Sequence, residues 1–411
     1  MSKYPIAIPF MGEEEVNAAS QAVRSGWVAQ GPRVAELEKE FSQYTGARFS
    51  CATTNGTTAL HLALKAVGVK PGDVVLTVSH SFIASANAVR HCMAEPVFID
   101  IAPRSYNMDV AALERVLCED CEEHDGDIWY RNIAQLTTGE SPLCFIKPPL
   151  GRVAAILAVH QIGFPCEIEA TMKIARRFSL PVVEDAACAI GSEVAFGEGR
   201  ALEKIGKPHS DIACFSFHPR KVVTTGEGGM LTTNNPEFDR LVRSWRSHGM
   251  ILSAVTRHED SAIRFEGCET TGYNYRMSDI QGGVGLEQMR KLENFIEKRR
   301  CLAACYSERL ESIPWLESAD ESGVKPNWQS YPIALAEAAP VGQVGLMQYL
   351  LDKGISTRRG IMNAHQEPPY LSQKWSLPES EQARDRTVML PFYQQLDERD
   401  IDYISECIGE I

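Results

Sequence analysis

The chain reads as an α/β protein: a mixed, mostly parallel sheet flanked by helices, followed by a smaller α+β unit. Three observations predict it. Short β-leaning apolar runs alternate with longer stretches that are apolar at helical spacing, the rhythm of strand–helix–strand units. The buried-looking run LPVV ends in two carboxylates, Glu184 and Asp185, and sheets of this class present polar groups at strand carboxyl ends. The 411 residues, 44% hydrophobic and 23% charged, suffice for a large core and about two to three domains.

Residues 48–53 (RFSCAT) form the first predicted strand. NGTTALHLALKAVGV follows as a helix, with Leu60, Leu62, Leu64 and Val67 as its apolar positions. PGD at 71–73 is turn chemistry, and VVLTVS at 74–79 is a strand. SFIASANAVRHC is a helix and PVFIDI at 96–101 a strand. AAILAVH at 154–160 is a strand, EIEATMKIARRFS at 167–179 an amphipathic helix, and LPVVEDA at 180–186 a buried strand. IACFSF at 212–217 and GGMLTT at 228–233 are further strands. GVGLEQMRKLENFIEKRRCLAACYSERLESI is one long helix, followed by the strand YPIAL at 331–335 and the helix VGQVGLMQYLLDKG. This change of pattern divides the chain into a large domain, 1–285, and a small C-terminal domain, 286–411, with which the N-terminal segment is expected to pack. Residues 119–150 carry no clean period. A segment of that size is read as a surface elaboration or a cover for a substrate entrance.

With 41 Lys+Arg against 54 Asp+Glu, the net charge is −13. That balance, with no basic run, argues against a nucleic-acid binder. No stretch approaches ~18 uninterrupted apolar residues, and the start lacks the apolar core of a signal peptide. A cytoplasmic location without membrane attachment is therefore expected. The twelve Cys then read as small hydrophobes. The CxxC pair Cys118 and Cys121 has no partner pair at zinc-site spacing, so no metal is expected. Gly206-Lys207 runs into Pro208, which breaks a P-loop, and Leu231 stands where a dinucleotide fingerprint from Gly226 and Gly228 needs its third glycine.

Three stations carry chemistry. Asn55-Gly56-Thr57-Thr58 lies between a strand and a helix, where free amides and the helix dipole would cradle a phosphate, helped by the Thr hydroxyls. A plain N-cap is the alternative. Glu184 and Asp185 end a buried strand, where one carboxylate could keep a cationic ring nitrogen protonated, or merely cap a helix. In FSFHPRKVVTTGEGGM, Ser216 alternates with Phe215 and Phe217, and Lys221 sits in a tight turn. A desolvated lysine there could form an imine; a surface lysine is the alternative. Phosphate cradle, ring carboxylate and imine lysine are together the parts that pyridoxal 5'-phosphate needs.

The stretches IPFMGEEEV, SGWVAQGPRVAELEKEF, NGTTALHLAL, SFIASANAV, VEDAACAIGS, FSFHPRKVVTTGEGGM, RSHGM and GYNYRMSDIQ resemble the DegT/DnrJ/StrS-type sugar aminotransferases, a branch of the fold-type-I PLP-dependent transferases. They cover most of residues 7–290 in the family's order. The resemblance implies Lys221 as the imine lysine and Asp185 as the ring-nitrogen partner. Phe82 would stack on the ring, and Gly56, Thr57 and Ser216 would bind the phosphate. Asn274 would reach the neighbouring subunit's cofactor, which implies a homodimer with shared active sites. Trp27, Gln30 and His365 would lie near the substrate. Cys188 stands where many members have Gln.

The implied reaction moves an amino group from L-glutamate to a keto or aldehydo sugar, nucleotide-linked, for amino-sugar and surface-polysaccharide synthesis. The alternatives are a free oxidised sugar acid as acceptor, a PLP-dependent dehydratase or lyase on the same fold, and a regulator without turnover. Relatives with His in place of the imine lysine remove a hydroxyl group, so Lys221 favours transamination.

Overall fold

The structure is a computed structural model that describes residues 3–196, 201–250, 267–317 and 323–411. In chain order it has α1 (Glu13–Ser25), α2 (Pro32–Thr45), β1 (Phe49–Thr53), α3 (Gly56–Ala66), β2 (Val74–Val78), α4 (Ala84–His91) and β3 (Glu95–Ile99). Next come α5 (Val110–Arg115), β4 (Cys121–His124), β5 (Asp127–Tyr130), α6 (Ile133–Leu136), β6 (Val153–Val159), α7 (Ile168–Arg177) and β7 (Val182–Asp185). Then follow β8 (Glu193–Ala195), β9 (Leu202–Lys204), β10 (Ile212–Ser216), β11 (Gly229–Thr233), α8 (Pro236–Trp245) and α9 (Asp279–Leu310). The C-terminal part adds β12 (Leu316–Glu317), β13 (Val324–Lys325), β14 (Tyr331–Leu335), α10 (Gln343–Asp352), β15 (Arg358–Arg359), α11 (Pro378–Arg386), β16 (Thr387–Leu390) and α12 (Glu398–Gly409).

The main sheet has seven strands in the order β1-β11-β10-β7-β6-β2-β3. Only β11 runs against its neighbours. The other neighbouring pairs are parallel, so six strands point their carboxyl ends to one edge. Side chains alternate across the sheet. Ala213 and Phe215 join the core under α2, where the Phe41 ring meets Phe215 edge-on at 5.0 Å. Ile212 and Cys214 join the core under α3, with Leu60, Leu62 and Leu64. Each of these fully buried leucines contributes roughly 1.5–3 kcal/mol of apolar burial.

A second sheet, β12-β14-β16-β15, is antiparallel throughout. Residue 285 falls inside α9, which runs unbroken through it. The glycines of QGGVG let α2 lie against this helix: a Cβ on Gly282 would stand 2.8 Å from the Val34 amide nitrogen, and one on Gly285 2.8 Å from Leu37. Two ion pairs of Glu38, the one with Arg246 buried, clamp α2 to β1 and α8. Glu38 accepts from Arg243 at 2.7 Å, Arg246 at 2.5 Å and the Ala52 amide at 2.9 Å. Burial raises this carboxyl, but the two guanidiniums prevail and hold it below the usual carboxylate range.

Residues 119–150 contain the hairpin β4–β5, helix α6 and a 3-10 turn. They dock at the amino ends of the main strands: Tyr130 bonds the Gly151 carbonyl, and Ser141 donates to Glu95, the first residue of β3. This is the edge opposite the strand carboxyl ends, so the segment elaborates the surface and does not cover the site on that edge. Cys118 and Cys121 form no disulfide. Burial pushes the Cys121 thiol up to about 12 and Cys51 to about 11, where reactive thiolate is scarce at neutral pH.

Candidate active site

The carboxyl ends of β1, β10 and β7 lie on one sheet edge, with the start of β11 between β1 and β10, and the three stations meet there. Thr53 of β1 and Ser216 of β10 both pair with Gly229 of β11. A Cβ on Gly229 would fall 2.4 Å from the Asn55 carbonyl oxygen, and one on Gly56 2.8 Å from Ser216 Cβ. Glycine at both places lets the start of α3 seat directly on Ser216. Asn55 caps the helix by accepting from the Thr58 amide at 2.9 Å, and the Thr58 hydroxyl turns back to the Asn55 carbonyl at 2.8 Å. Thr58 therefore spends its proton on the cap and does not offer it outward. The amides of Gly56 and Thr57 have no partner among the described residues. Two free amides, a helix N-terminus and the Ser216 hydroxyl form a cradle suited to a phosphate.

The strand alternation separates the two carboxylates. Glu184, fully buried, accepts from Ser210 at 2.6 Å and pairs with His160 Nε2 at 2.8 Å. The Cys166 amide donates to His160 Nδ1 at 3.0 Å, so Nε2 carries the proton given to Glu184. Glu184 is thereby consumed in the core. Asp185 lies on the opposite face. Its Oδ2 accepts from Ser85 at 2.7 Å and its Oδ1 from the Ala187 amide at 3.1 Å.

Lys221 sits in the turn between β10 and β11. That turn is closed by Phe217, whose carbonyl accepts from the Thr225 amide and the Thr224 hydroxyl, and is tied to α9 by Gln288 and Gln281. Lys221 Nζ donates to Cys188 Sγ at 3.0 Å. Among the described residues it has no carboxylate partner. The Gln-to-Cys departure thus places a thiol against the amine, and Asn327 holds the Cys188 carbonyl at 2.9 Å.

The other predicted residues lie around this group. Phe82, 62% exposed, precedes α4. Asn274 is exposed and accepts from Arg276 at 3.1 Å, while the next residue, Tyr275, receives the Thr54 amide beside the cradle. Trp27 and Gln30 are half-buried in the loop between α1 and α2. Asp279 pins that loop by accepting from the amides of Gly31, Arg33 and Val34. His365 is buried, with Nδ1 on Ser79 at 2.6 Å and Nε2 on Glu381 at 3.3 Å, so both ring nitrogens already have protein partners. Sequence reasoning missed Ser85 and Ser81. Ser81 lies before α4 and Ser85 in its first turn, and the sequence carried no local signal that the fold would bring them together beside Asp185.

A family model described as "DegT/DnrJ/EryC1/StrS aminotransferase family" matches residues 9–409. The chain belongs to that family. It is similar to the GDP-perosamine synthase of Caulobacter vibrioides, at 30% identity over 100% of this chain and 99% of that one. It is also similar to the spore coat polysaccharide biosynthesis protein SpsC of Bacillus subtilis, at 30% identity over 99% and 96%. Among solved structures, DesV of S. venezuelae superposes with a TM-score of 0.80 at 25% identity, covering 100% of this chain and 98% of that one. PseC of Helicobacter pylori shares the fold, with a TM-score of 0.82 at 22% identity and coverage of 99% and 98%. The chain is accordingly a PLP-dependent sugar aminotransferase of the predicted fold class. Among the described residues no helix is long and apolar enough to cross a membrane, and no cluster of His, Cys, Asp and Glu could hold a metal.

Proposed function

We propose that the protein transfers the amino group of L-glutamate to the carbonyl carbon of a nucleotide-linked keto or aldehydo sugar, for amino-sugar and polysaccharide synthesis in the cytoplasm. The observation that carries this reading is the convergence of Asp185, the Gly56–Ser216 cradle and Lys221 on one sheet edge. The names of the relatives support its finer parts: one contains a GDP-linked sugar, another a polysaccharide.

In this reading the amides of Gly56 and Thr57 and the Ser216 hydroxyl take the phosphate oxygens. Phe82 offers its exposed ring as a stacking platform. Asp185 pairs with the ring nitrogen and holds its proton. Bound there, the cofactor supplies an electron-accepting ring and a carbon that takes up and returns the amino group. Lys221 would hold the cofactor covalently, and its amine would carry the proton at the reacting carbon as general base and acid. Cys188 steadies its amine. Asn274 of the partner subunit would complete the phosphate site in a homodimer. Trp27 and Gln30 would face the sugar. His365 would support the site through Ser79. Residues 1–285 would form the cofactor domain and 286–411 the small domain.

Transfer of label tests the reading. The holoenzyme is incubated with 15N-labelled L-glutamate and a panel of nucleotide-linked keto sugars, and the products are weighed by mass spectrometry. A sugar product carrying 15N is expected. A deoxy-keto sugar without nitrogen would move the assignment to a dehydratase.

A further inference from the structure

Two protein groups hold the Asp185 carboxylate: the Ala187 amide donates to Oδ1 at 3.1 Å, and the Ser85 hydroxyl donates to Oδ2. Ser85 Oγ lies 2.7 Å from Asp185 Oδ2, and Ser85 is 1% exposed. A carboxylate only accepts, so Ser85's single proton goes to Asp185. Ser81 Oγ lies 2.9 Å from Ser85 Oγ. With that proton committed, Ser81 must be the donor, which sets the direction Ser81→Ser85→Asp185. The Ser85 amide also donates to the Phe82 carbonyl at 3.1 Å. One residue thus ties the Phe82 turn to the carboxylate. The last torsion of an aspartate has broad wells. Asp185 has no rotamer of its own that would fix the plane of its carboxylate, so its neighbours must fix it.

We propose that Ser85 is a positioning residue for the cofactor ring: its hydroxyl, oriented by Ser81, locks the Asp185 carboxylate in the orientation that pairs with the ring nitrogen. The proposal rests on the reading of Asp185 as the ring-nitrogen partner. Ser81 acts only through Ser85.

The test titrates cofactor-free protein with pyridoxal phosphate, following the visible absorbance band, for wild type, Ser85→Ala, Ser81→Ala, the double variant and Asp185→Asn. Melting of the cofactor-free proteins is recorded alongside. Ser85→Ala is expected to weaken binding roughly ten- to a hundredfold, the size of a hydrogen bond to a charged group. Ser81→Ala should lose about threefold, and the double variant no more than Ser85→Ala alone. If Ser85→Ala lowers only the melting temperature, or if the two single losses multiply in the double variant, the proposal is overturned. Asp185→Asn separates the two claims. Weak binding by it upholds the Asp185 reading whatever Ser85 does, whereas wild-type binding by it removes that reading.

Discussion

Replacing Gly56 with Ala puts one methyl group between the start of α3 and the end of β10. Its carbon would stand 2.8 Å from Ser216 Cβ, 3.3 Å from Ser216 Oγ and 3.4 Å from the Phe215 carbonyl oxygen. Carbon atoms rest at about 3.5–4.0 Å, so the helix start must retreat by roughly 1 Å. The strand resists moving, because Ser216 is paired to Gly229 of β11 and β10 is held to β7 up to Cys214. Overpacking of this kind costs about 1–3 kcal/mol. The same shift carries the Gly56 and Thr57 amides away from Ser216 and opens the cradle. Losing one hydrogen bond to a charged phosphate weakens binding by about 1.5–3 kcal/mol, roughly ten- to a hundredfold. Equilibrium titration with pyridoxal phosphate, beside thermal melting, reads both effects. An Ala variant that binds the cofactor within about twofold of wild type and melts unchanged would refute the argument that glycine is needed for this close seat.

Other consequences follow from the packing. Glu38→Gln leaves the buried Arg246 guanidinium without its anion, while Arg243 keeps Asp239, and should destabilise the protein by about 3–5 kcal/mol in urea denaturation; a change below about 1 kcal/mol would mean the clamp is not needed. Gly345 is exposed within α10, and an added methyl there would meet only Val341 Cβ, at 3.7 Å. Gly345→Ala should therefore gain about 0.5–1 kcal/mol in urea denaturation and keep full activity. Burial, partly offset by the hydrogen bond to Asn363, holds the His80 imidazole down at about 4. The unfolded chain takes up this proton first, near pH 6.5, so the stabilisation is complete above that pH. It is lost as pH falls toward 4, with about 2 kcal/mol gone by pH 5. Urea titrations at pH 7 and pH 5 should show a smaller difference in His80→Gln than in wild type, and an equal difference would contradict the assignment.

The strands and helices of the main sheet were legible because burial on both faces leaves unbroken apolar runs, as in VVLTV and AAILAV. Their ends moved by one to three residues where caps and turns intervened: α3 stops at Ala66 and α4 begins at Ala84. The helices α1 and α2 were not read from periodicity, although Gly26 and Gly46 close them in the left-handed conformation. That Ser216, the Gly56 turn and Lys221 fall at or just beyond strand ends could be read, because the strands before them are short apolar runs followed by turn residues. The choice between Glu184 and Asp185 could not. It depends on which face of β7 each takes, and on His160 and Ser210, which reach Glu184 from distant parts of the sequence. His365 was equally opaque, since its partners Ser79 and Glu381 come together only in the folded chain. The docking of residues 119–150 at the amino-end edge depends on Glu95 and Gly151, which carry no local signal.

The central claim is that Lys221 anchors pyridoxal phosphate on this sheet edge and that L-glutamate is the donor. The most direct measurement is the visible absorbance spectrum of the cofactor-loaded protein, before and after L-glutamate, in wild type and Lys221→Ala. Wild type should show a visible band that bleaches on adding L-glutamate, and Lys221→Ala should lack it. A variant that keeps both the band and its bleaching would contradict the account.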